Sequence, residues 1–452
     1  MKSILVVLLL LSGVTSTSGQ TPAQGLATAF QRFERDQQMK AGIASLYVVN
    51  AKTGAVIFNK NGNIGLAPAS TQKIITAASA YEMLAKDFRY ITDFSIGEDD
   101  GKKILYIKPS GDPTLGSTRW EQTSSKSFLN RISKKISATT IDNIVVLDED
   151  WNHESIPEGW IWQDVGNYYG AGASALNWRE NKFEVVLRSG TNIGEPVKVI
   201  STEPRLQSYA IHSEATSAAK GSGDNAYIYF DLGSTGAVVR GTIPVNENRF
   251  IISGATPSAK QQFIASLAEA LKIDLKNSLV ENTRSLKITE LVHREHSPPL
   301  DSIIYWLNKK SINLFGEALL KTIAHKKSKV ASTAKGVQAI KEFWKSNGID
   351  PVELNIADGS GLSPLNRVTT RAQVLVLQYA KKQPWFAAFY NSLPEYNGMK
   401  MKSGTINDVK AYSGYHRARN GEEYIFSFVV NNYNGSSATL VQKMYQVLDL
   451  LK

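Results

Sequence analysis

The sequence contains no cysteine, and that absence removes several classes of protein at once. No disulfide framework, no thiol nucleophile and no lipidated-cysteine anchor can be built. Histidine is scarce as well: His153, His212, His293, His296, His325 and His416 are the only six. None stands beside a Gly-x-Ser-x-Gly elbow, and no His-Glu-x-x-His pattern occurs, so neither a Ser-His-Asp hydrolase nor a zinc peptidase is supported. Long apolar runs are missing too. After the first twenty residues nothing reaches the roughly 18 uninterrupted apolar residues that cross a bilayer. The net charge is +10, yet pairs such as Lys309-Lys310, Lys326-Lys327 and Lys381-Lys382 are scattered. The basic stripe and module of a nucleic-acid-binding protein are therefore lacking, and no nucleic-acid partner is expected. No internal repeat is visible, and neither a metal nor a cofactor is expected.

What is present is an ordinary globular composition, 42% hydrophobic and 20% charged over 452 residues, enough for two or three domains. The opening MKSILVVLLLLSGVTSTSGQ is set apart by Lys2, an apolar core from Ile4 to Leu11 and small residues near Gly19. It reads as a signal peptide over residues 1–19, too short for a transmembrane anchor. The expectation is an exported, soluble mature protein of the periplasm or cell envelope. Helical spacing of Leu26, Phe30 and Phe33 follows, then a hairpin over 43–59, then a helix from about Ser70. From about 90 to 287 the texture changes to short strands broken by turns, as in 103–115, 182–190 and 226–245, which reads as inserted β-rich material. A helix-rich stretch covers 300–346. The end reads as two strands, 409–416 and 424–431, and a helix over 438–451.

One stretch in this pattern is anomalous. APASTQKIITAASAYEML, residues 67–84, is apolar nearly all round, as a buried helix is, yet carries Lys73 in its first turn. A buried ammonium is costly unless it is paired or gives up its proton. Ser70 stands three residues earlier, so the two side chains would share a helix face. Serine chemistry without histidine works when a neutral lysine is the base. Such a site also needs a second hydroxyl, an amide and a cation. Ser311-Ile312-Asn313 at a helix start and Lys402-Ser403-Gly404-Thr405 before the terminal hairpin supply them. Two further matches are structural: Ser217-Ala218-Ala219-Lys220 lies in a polar run, and Lys52-Thr53-Gly54 fits a hairpin turn ahead of the nucleophile.

Ser-x-x-Lys, Ser-Asp-Asn and Lys-Thr-Gly together are the signature of penicillin-binding proteins and class A β-lactamases. Here isoleucine replaces the aspartate and serine the threonine, with the functional hydroxyls, amide and ammonium kept. With PASTQK at 68–73, GDPTL at 111–115, YGAGASALNW at 169–178, SPPL at 297–300 and DGSGLS at 358–363, nearly the whole mature chain resembles a known family. It is similar to the class C low-molecular-mass penicillin-binding proteins, the D-alanyl-D-alanine carboxypeptidase/endopeptidases of the penicillin-binding protein 4 type. The resemblance implies an α/β (α+β) penicillin-binding transpeptidase/β-lactamase-like domain, an antiparallel sheet flanked by helices, with two inserted β-rich domains. The expected division is a catalytic domain of 20–90 and 286–452, a second domain of 91–178 and 254–285, and a third of 179–253.

Carried over, the resemblance makes Ser70 the acylated nucleophile, Lys73 its base, Ser311 a proton relay and Asn313 a holder of Lys73 and the substrate amide. Lys402, Ser403, Gly404 and Thr405 would bind the terminal carboxylate, with the N–H groups of Ser70 and Thr405 as the oxyanion hole. Burial, together with the cation Lys402, is expected to lower the pKa of Lys73. Asp164 and Tyr169 stand as candidates for the far end of the peptide's diamino acid, against plain loop packing; Asp112 and Asp358 read as turn residues. The expected partners are peptidoglycan peptides, with β-lactams as inhibitors. A β-lactamase would need a Glu-x-x-x-Asn between Asn313 and Lys402; Glu317, Glu342, Glu353 and Glu395 all lack the asparagine. An inactive wall-binding scaffold is disfavoured by the intact Ser70, Lys73, Ser311, Asn313 and Lys402. An esterase on the same fold would be told apart by its action on simple esters rather than D-Ala-D-Ala peptides.

Overall fold

The computed structural model describes residues 22–452 apart from 100, 137–138, 207–208, 232–235 and 275–287; the expected signal peptide lies outside the described residues. Ile43–Asn50 is buried on both faces, as a central strand must be, and its register places Ile43 opposite Asn431 of the strand Glu423–Asn431. The two ends of the chain thus meet in one antiparallel sheet of six strands. Its order is Glu395–Tyr396, Met399–Ile406, Val409–Arg417, Glu423–Asn431, Ile43–Asn50, Val56–Lys60.

Helices cover both faces of this sheet. On one side Leu26, Phe30 and Phe33 of helix Pro22–Glu34 pack with Phe428 and with Leu440 and Met444 of helix Ser437–Leu448. On the other lie the helices Lys73–Leu84, Leu300–Lys309, Asn313–Ser328, Thr333–Ser346 and Thr370–Lys381. Their core joins Ile74, Ile75, Leu307, Phe315, Leu319 and Leu377 to Tyr415 and Ile425 of the sheet. Helix Lys73–Leu84 is buried nearly all round, in line with its composition.

The middle of the chain forms separate sheets. Ile288–His296, Ile91–Asp99, Lys102–Lys108 and Asn143–Val146 make a four-stranded sheet, the last pair parallel. The helices Ser125–Ile136 and Ala259–Leu271 cover it through Phe128, Ile132, Phe263 and Leu267, so this part is less purely β than its sequence suggests. Lys182–Arg188, Lys198–Glu203 and Phe250–Ala255 form a second sheet. Ala210–Ser213, Thr216–Ala218, Asn225–Phe230 and Gly236–Pro244 form a third. These two share a core of Phe183, Val185, Val197, Ile228, Val239 and Ile252.

The stretch 226–245 holds two strands, Asn225–Phe230 and Gly236–Pro244, as a texture of short strands broken by turns implies. Two element expectations need correction. The last helix ends at Leu448, with a turn of 3-10 helix at Asp449–Leu451 completing the stripe. The helix expected from Ser70 begins at Lys73; Ala69–Gln72 is a tighter 3-10 turn. That last difference shapes the site.

Candidate active site

The 3-10 turn exists because the backbone before Ser70 is forced out of the helix. Ala69 has a φ of +46°, a left-handed conformation that costs an alanine about 1–2 kcal/mol. Two neighbouring segments hold it there. A Cβ on Gly361 would lie 1.9 Å from the Ala69 carbonyl oxygen, and one on Gly404 would lie 3.0 Å from the Ser70 nitrogen. Both positions therefore require glycine, for close approach of backbone to backbone. Wedged between them, Ser70 points its hydroxyl at Lys73.

Lys73 is fully buried, and its Nζ has three partners: Ser70 Oγ at 2.9 Å, Asn313 Oδ1 at 2.6 Å and the Ser360 carbonyl oxygen at 2.7 Å. Burial lowers its pKa to about 7, against the opposing pull of Asp358 and Glu317. Lys402, from strand Met399–Ile406, is also buried and donates to Ser311 Oγ and the Ser403 carbonyl, each at 2.9 Å. Its pKa is driven down, first by burial and then by Lys73. Loss of hydration is the leading cause at Lys73, as expected; the repulsion between the two ammonium groups is felt at Lys402, and Asp358 and Glu317 work against the lowering of Lys73.

Ser311 takes a φ of +57° just ahead of helix Asn313–Ser328, whose first residue is Asn313. The turn and the helix start thus present hydroxyl and amide together. The Asn313 Nδ2 donates to the Tyr169 carbonyl at 2.7 Å. All five core candidates, Ser70, Lys73, Ser311, Asn313 and Lys402, are brought into one cluster. Of the remaining candidates, Gly404 abuts the Ser70 turn, Ser403 offers its carbonyl to Lys402, and Thr405 Oγ1 accepts from Lys410 at 2.7 Å.

In front of the cluster opens a cleft of about 680 Å³, with Ser70, Ser311, Asn313 and Thr405 at one end. Ile161, Asp164, Tyr168, Tyr169 and Tyr227 line it as well, a wall that meets the cluster where Tyr169 bonds Asn313. The side chains of Asp164 and Tyr169 are hydrogen-bonded to each other; partial burial raises the pKa of both. Asp112 accepts from Thr114, and Asp358 accepts from the Gly361 and Ser363 amides, as turn residues do. Asp358 also holds Trp160 Nε1 at 2.8 Å, so this turn is tied to the cleft wall.

Three residues next to the cluster escape a reading by motif. The Ser360 carbonyl is a partner of Lys73 that no side-chain pattern announces. Glu317 is fully buried, with both oxygens accepting from the Gly359 amide at 3.1 and 3.0 Å. Burial, with the neighbouring Asp358 next, raises its pKa to about 7. Lys321 is buried one turn further along the same helix. A charged residue inside an apolar helix was the signal that singled out Lys73, and it applies equally to Glu317 and Lys321.

A serine hydroxyl on a buried, neutral-leaning lysine, with a second Ser–Lys pair beside it, is the geometry a histidine-free serine hydrolase needs. The profile of the D-Ala-D-Ala carboxypeptidase 3 (S13) family matches residues 26–395, and the chain belongs to that family. It is 25% identical over 456 residues to a D-alanyl-D-alanine carboxypeptidase of Actinomadura sp. (strain R39), covering 90% of this chain and 81% of that one. It is 25% identical over 427 residues to the D-alanyl-D-alanine carboxypeptidase DacB of Haemophilus influenzae, covering 85% and 84%. Among solved structures it is similar to penicillin binding protein 4 (dacB) from H. influenzae, with a TM-score of 0.78 and 20% identity over 94% of this chain and 99% of that chain. The fold is accordingly penicillin-binding/β-lactamase-like.

Proposed function

We propose that this protein is a serine-type D-Ala-D-Ala carboxypeptidase that acts on peptidoglycan stem peptides through an acyl-serine intermediate. The observation that carries this reading is the set of partners around Lys73. Asn313 Oδ1 and the Ser360 carbonyl can only accept hydrogen bonds, whereas Ser70 can also donate. A neutral amine has two N–H groups and one lone pair. The two N–H groups satisfy the two obligate acceptors, so the lone pair is left facing the Ser70 hydroxyl, as a general base requires.

In the proposed reaction the Ser70 oxygen bonds to the carbonyl carbon of the penultimate D-alanine, and its proton passes to Lys73. The C–N bond breaks, the proton reaches the departing D-alanine amine through Ser311, and water then hydrolyses the ester. The N–H groups of Ser70 and Thr405 would hold the developing oxyanion. Lys402, with Ser403 and Thr405, would bind the terminal carboxylate, whose charge would favour a protonated Lys402. Asp164 and Tyr169 would receive the far end of the diamino acid side chain. Cleavage of cross-links, an endopeptidase reaction at the same kind of bond, fits a cleft of about 680 Å³ lined by residues from several segments besides Ser70. Such a substrate implies an exported protein of the periplasm or cell envelope, consistent with the 1–19 pattern; among the described residues no helix is long and apolar enough to cross a membrane.

The β-lactam ring imitates the scissile amide, and the H. influenzae relative has been solved in complex with a β-lactam. Glu317 spends both oxygens on the Gly359 amide and does not line the cleft, so it is not placed to activate a deacylating water. Long-lived acylation by penicillin is therefore expected. The test is the intact mass after incubation with benzylpenicillin: one stable adduct on the wild type and none on Ser70→Ala. Rapid drug loss without an adduct would indicate a β-lactamase instead, and inertness toward both drug and peptide a scaffold.

A further inference from the structure

Lys321 takes no part in the proposed chemistry, yet it is one of the most deeply buried charged side chains in the protein, 1% exposed. Burying an ammonium has a cost that only close partners offset. Its partners are two main-chain oxygens far apart in sequence: the Glu154 carbonyl at 2.6 Å and the Ala173 carbonyl at 2.8 Å. These are the two stems of one loop, residues 154–173. The stems run side by side at this point, since a Cβ on Gly172 would come 2.3 Å from the Ser155 carbonyl oxygen. Between the stems the loop carries Ile161, Asp164, Tyr168 and Tyr169, which line the cleft.

We propose that Lys321 is a positioning residue for peptide recognition: its ammonium clasps the base of loop 154–173 and so fixes the wall that receives the peptide, without touching substrate. The inference rests on the peptidase reading above. Lys321 lies eight residues after Asn313 on the same helix, about two turns away. The clasp therefore refers the loop directly to the element that bears the proposed catalytic amide. At its tip the loop has other ties, from Asn313 Nδ2 to the Tyr169 carbonyl and from Trp160 to Asp358. At its base, Lys321 bonds both stems at once. Removing its N–H groups leaves two buried carbonyls unpaired and frees the stems to separate. Asn313 touches the loop through the Tyr169 carbonyl, but the bonds of Lys73 to Ser70, to Asn313 Oδ1 and to the Ser360 carbonyl are made outside it, so acylation by a small β-lactam should survive.

The experiment compares two reactions of Lys321→Met with those of the wild type: hydrolysis of a stem pentapeptide ending in D-Ala-D-Ala, and the second-order rate of acylation by benzylpenicillin. Expected is a loss of at least about tenfold in kcat/KM for the peptide, carried mainly by KM, since a displacement of about 1 Å in a positioning element is felt on that scale. The penicillin rate should stay within about threefold. Lys321→Gln, which keeps an N–H donor for one stem, should fall between, and it carries the comparison where Lys321→Met does not fold. Equal losses in both reactions, or none in either, would overturn the positioning role. Failure of the wild type to acylate at all would instead overturn the underlying peptidase reading.

Discussion

The titration of Lys73 determines what the proposed site can do at a given pH. Its pKa of about 7 comes from burial, so near neutrality a large share of the lysine is neutral and able to take the Ser70 proton. The acylation rate by benzylpenicillin should thus rise with pH and level off above about 7, standing near one hundredth of its plateau at about pH 5. A profile flat from pH 5 to 8 would exclude Lys73 as the titrating base. The same shift makes a statement about stability. A free lysine titrates near 10.5, so between about 7 and about 10.5 the unfolded chain binds more protons at this position than the folded one. Lys73 therefore weighs against folding most heavily below pH 7, and that burden fades as pH rises toward 10.5. In Lys73→Met the hydrogen bonds to Asn313 and Ser360 are lost at every pH, a constant term. The stability difference between variant and wild type should move in the variant's favour as pH falls from 10 to 7, then flatten. Denaturant melts at several pH values read that slope directly, and a slope of the opposite sign would contradict a depressed lysine.

At the scale of the element, the Ser70 turn is a backbone conformation imposed from outside, by the strand Met399–Ile406 and the turn at Gly361. A Cβ on Gly404 would meet the Pro68 carbonyl oxygen at 2.6 Å and the Ser70 nitrogen at 3.0 Å, both main-chain atoms that cannot rotate aside. Gly404→Ala must push the strand away from the turn, and with it Lys402 and Thr405 from Ser70. Penicillin acylation should drop by about a hundredfold or more while far-UV circular dichroism stays that of the wild type. An alanine variant that acylates normally would show that this contact does not set the site. The motifs disclosed these elements unequally. Ser70, Lys73, Ser311, Asn313 and Lys402 were legible because each chemistry-bearing side chain sits at a fixed spacing in a short pattern. The 3-10 turn was not, because φ at Ala69 is decided by glycines hundreds of residues away. The Ser360 carbonyl carries no side-chain signature. Glu317 and Lys321 went unassigned because their partners are main-chain groups of segments 42 and 148 or more residues distant, which no local pattern reports.

Across the whole molecule, antiparallel pairing of Ile43–Asn50 with Glu423–Asn431 makes the six-stranded sheet a product of segments near both ends of the chain. Most of what lies between about 90 and 287 forms sheets of its own, while the loop 154–173 stays tied to the helix Asn313–Ser328 and to Asp358. The sequence announced this as a change of texture, though not which strands pair, since that depends on contacts far apart in the chain. The segment 182–255 is the clearest case. Its strands pair with one another, apart from a single bridge of Gly254 to Asn167, and its core, from Phe183 to Ile252, draws on no buried residue outside the segment among those described. Its two ends meet: the Thr256 amide donates to the Asn181 carbonyl at 2.8 Å, so a short linker can close the gap. It also leans on the cleft wall. Asn167 Oδ1 accepts from the Ile228 amide at 3.0 Å, a Cβ on Gly166 would lie 2.0 Å from the Ile228 carbonyl oxygen, and Tyr227 lines the cleft. Excising 182–255 should leave a protein that folds and is acylated by benzylpenicillin at close to the wild-type rate, because among the described residues the partners of Ser70, Lys73, Ser311, Asn313 and Lys402 all lie outside the segment. Its KM for a stem pentapeptide should rise, because Tyr227 and the support behind Gly166 are gone. Loss of acylation in a folded product would mean instead that the segment holds the catalytic cluster together, and the division into separately folding units would have to be redrawn around the cleft.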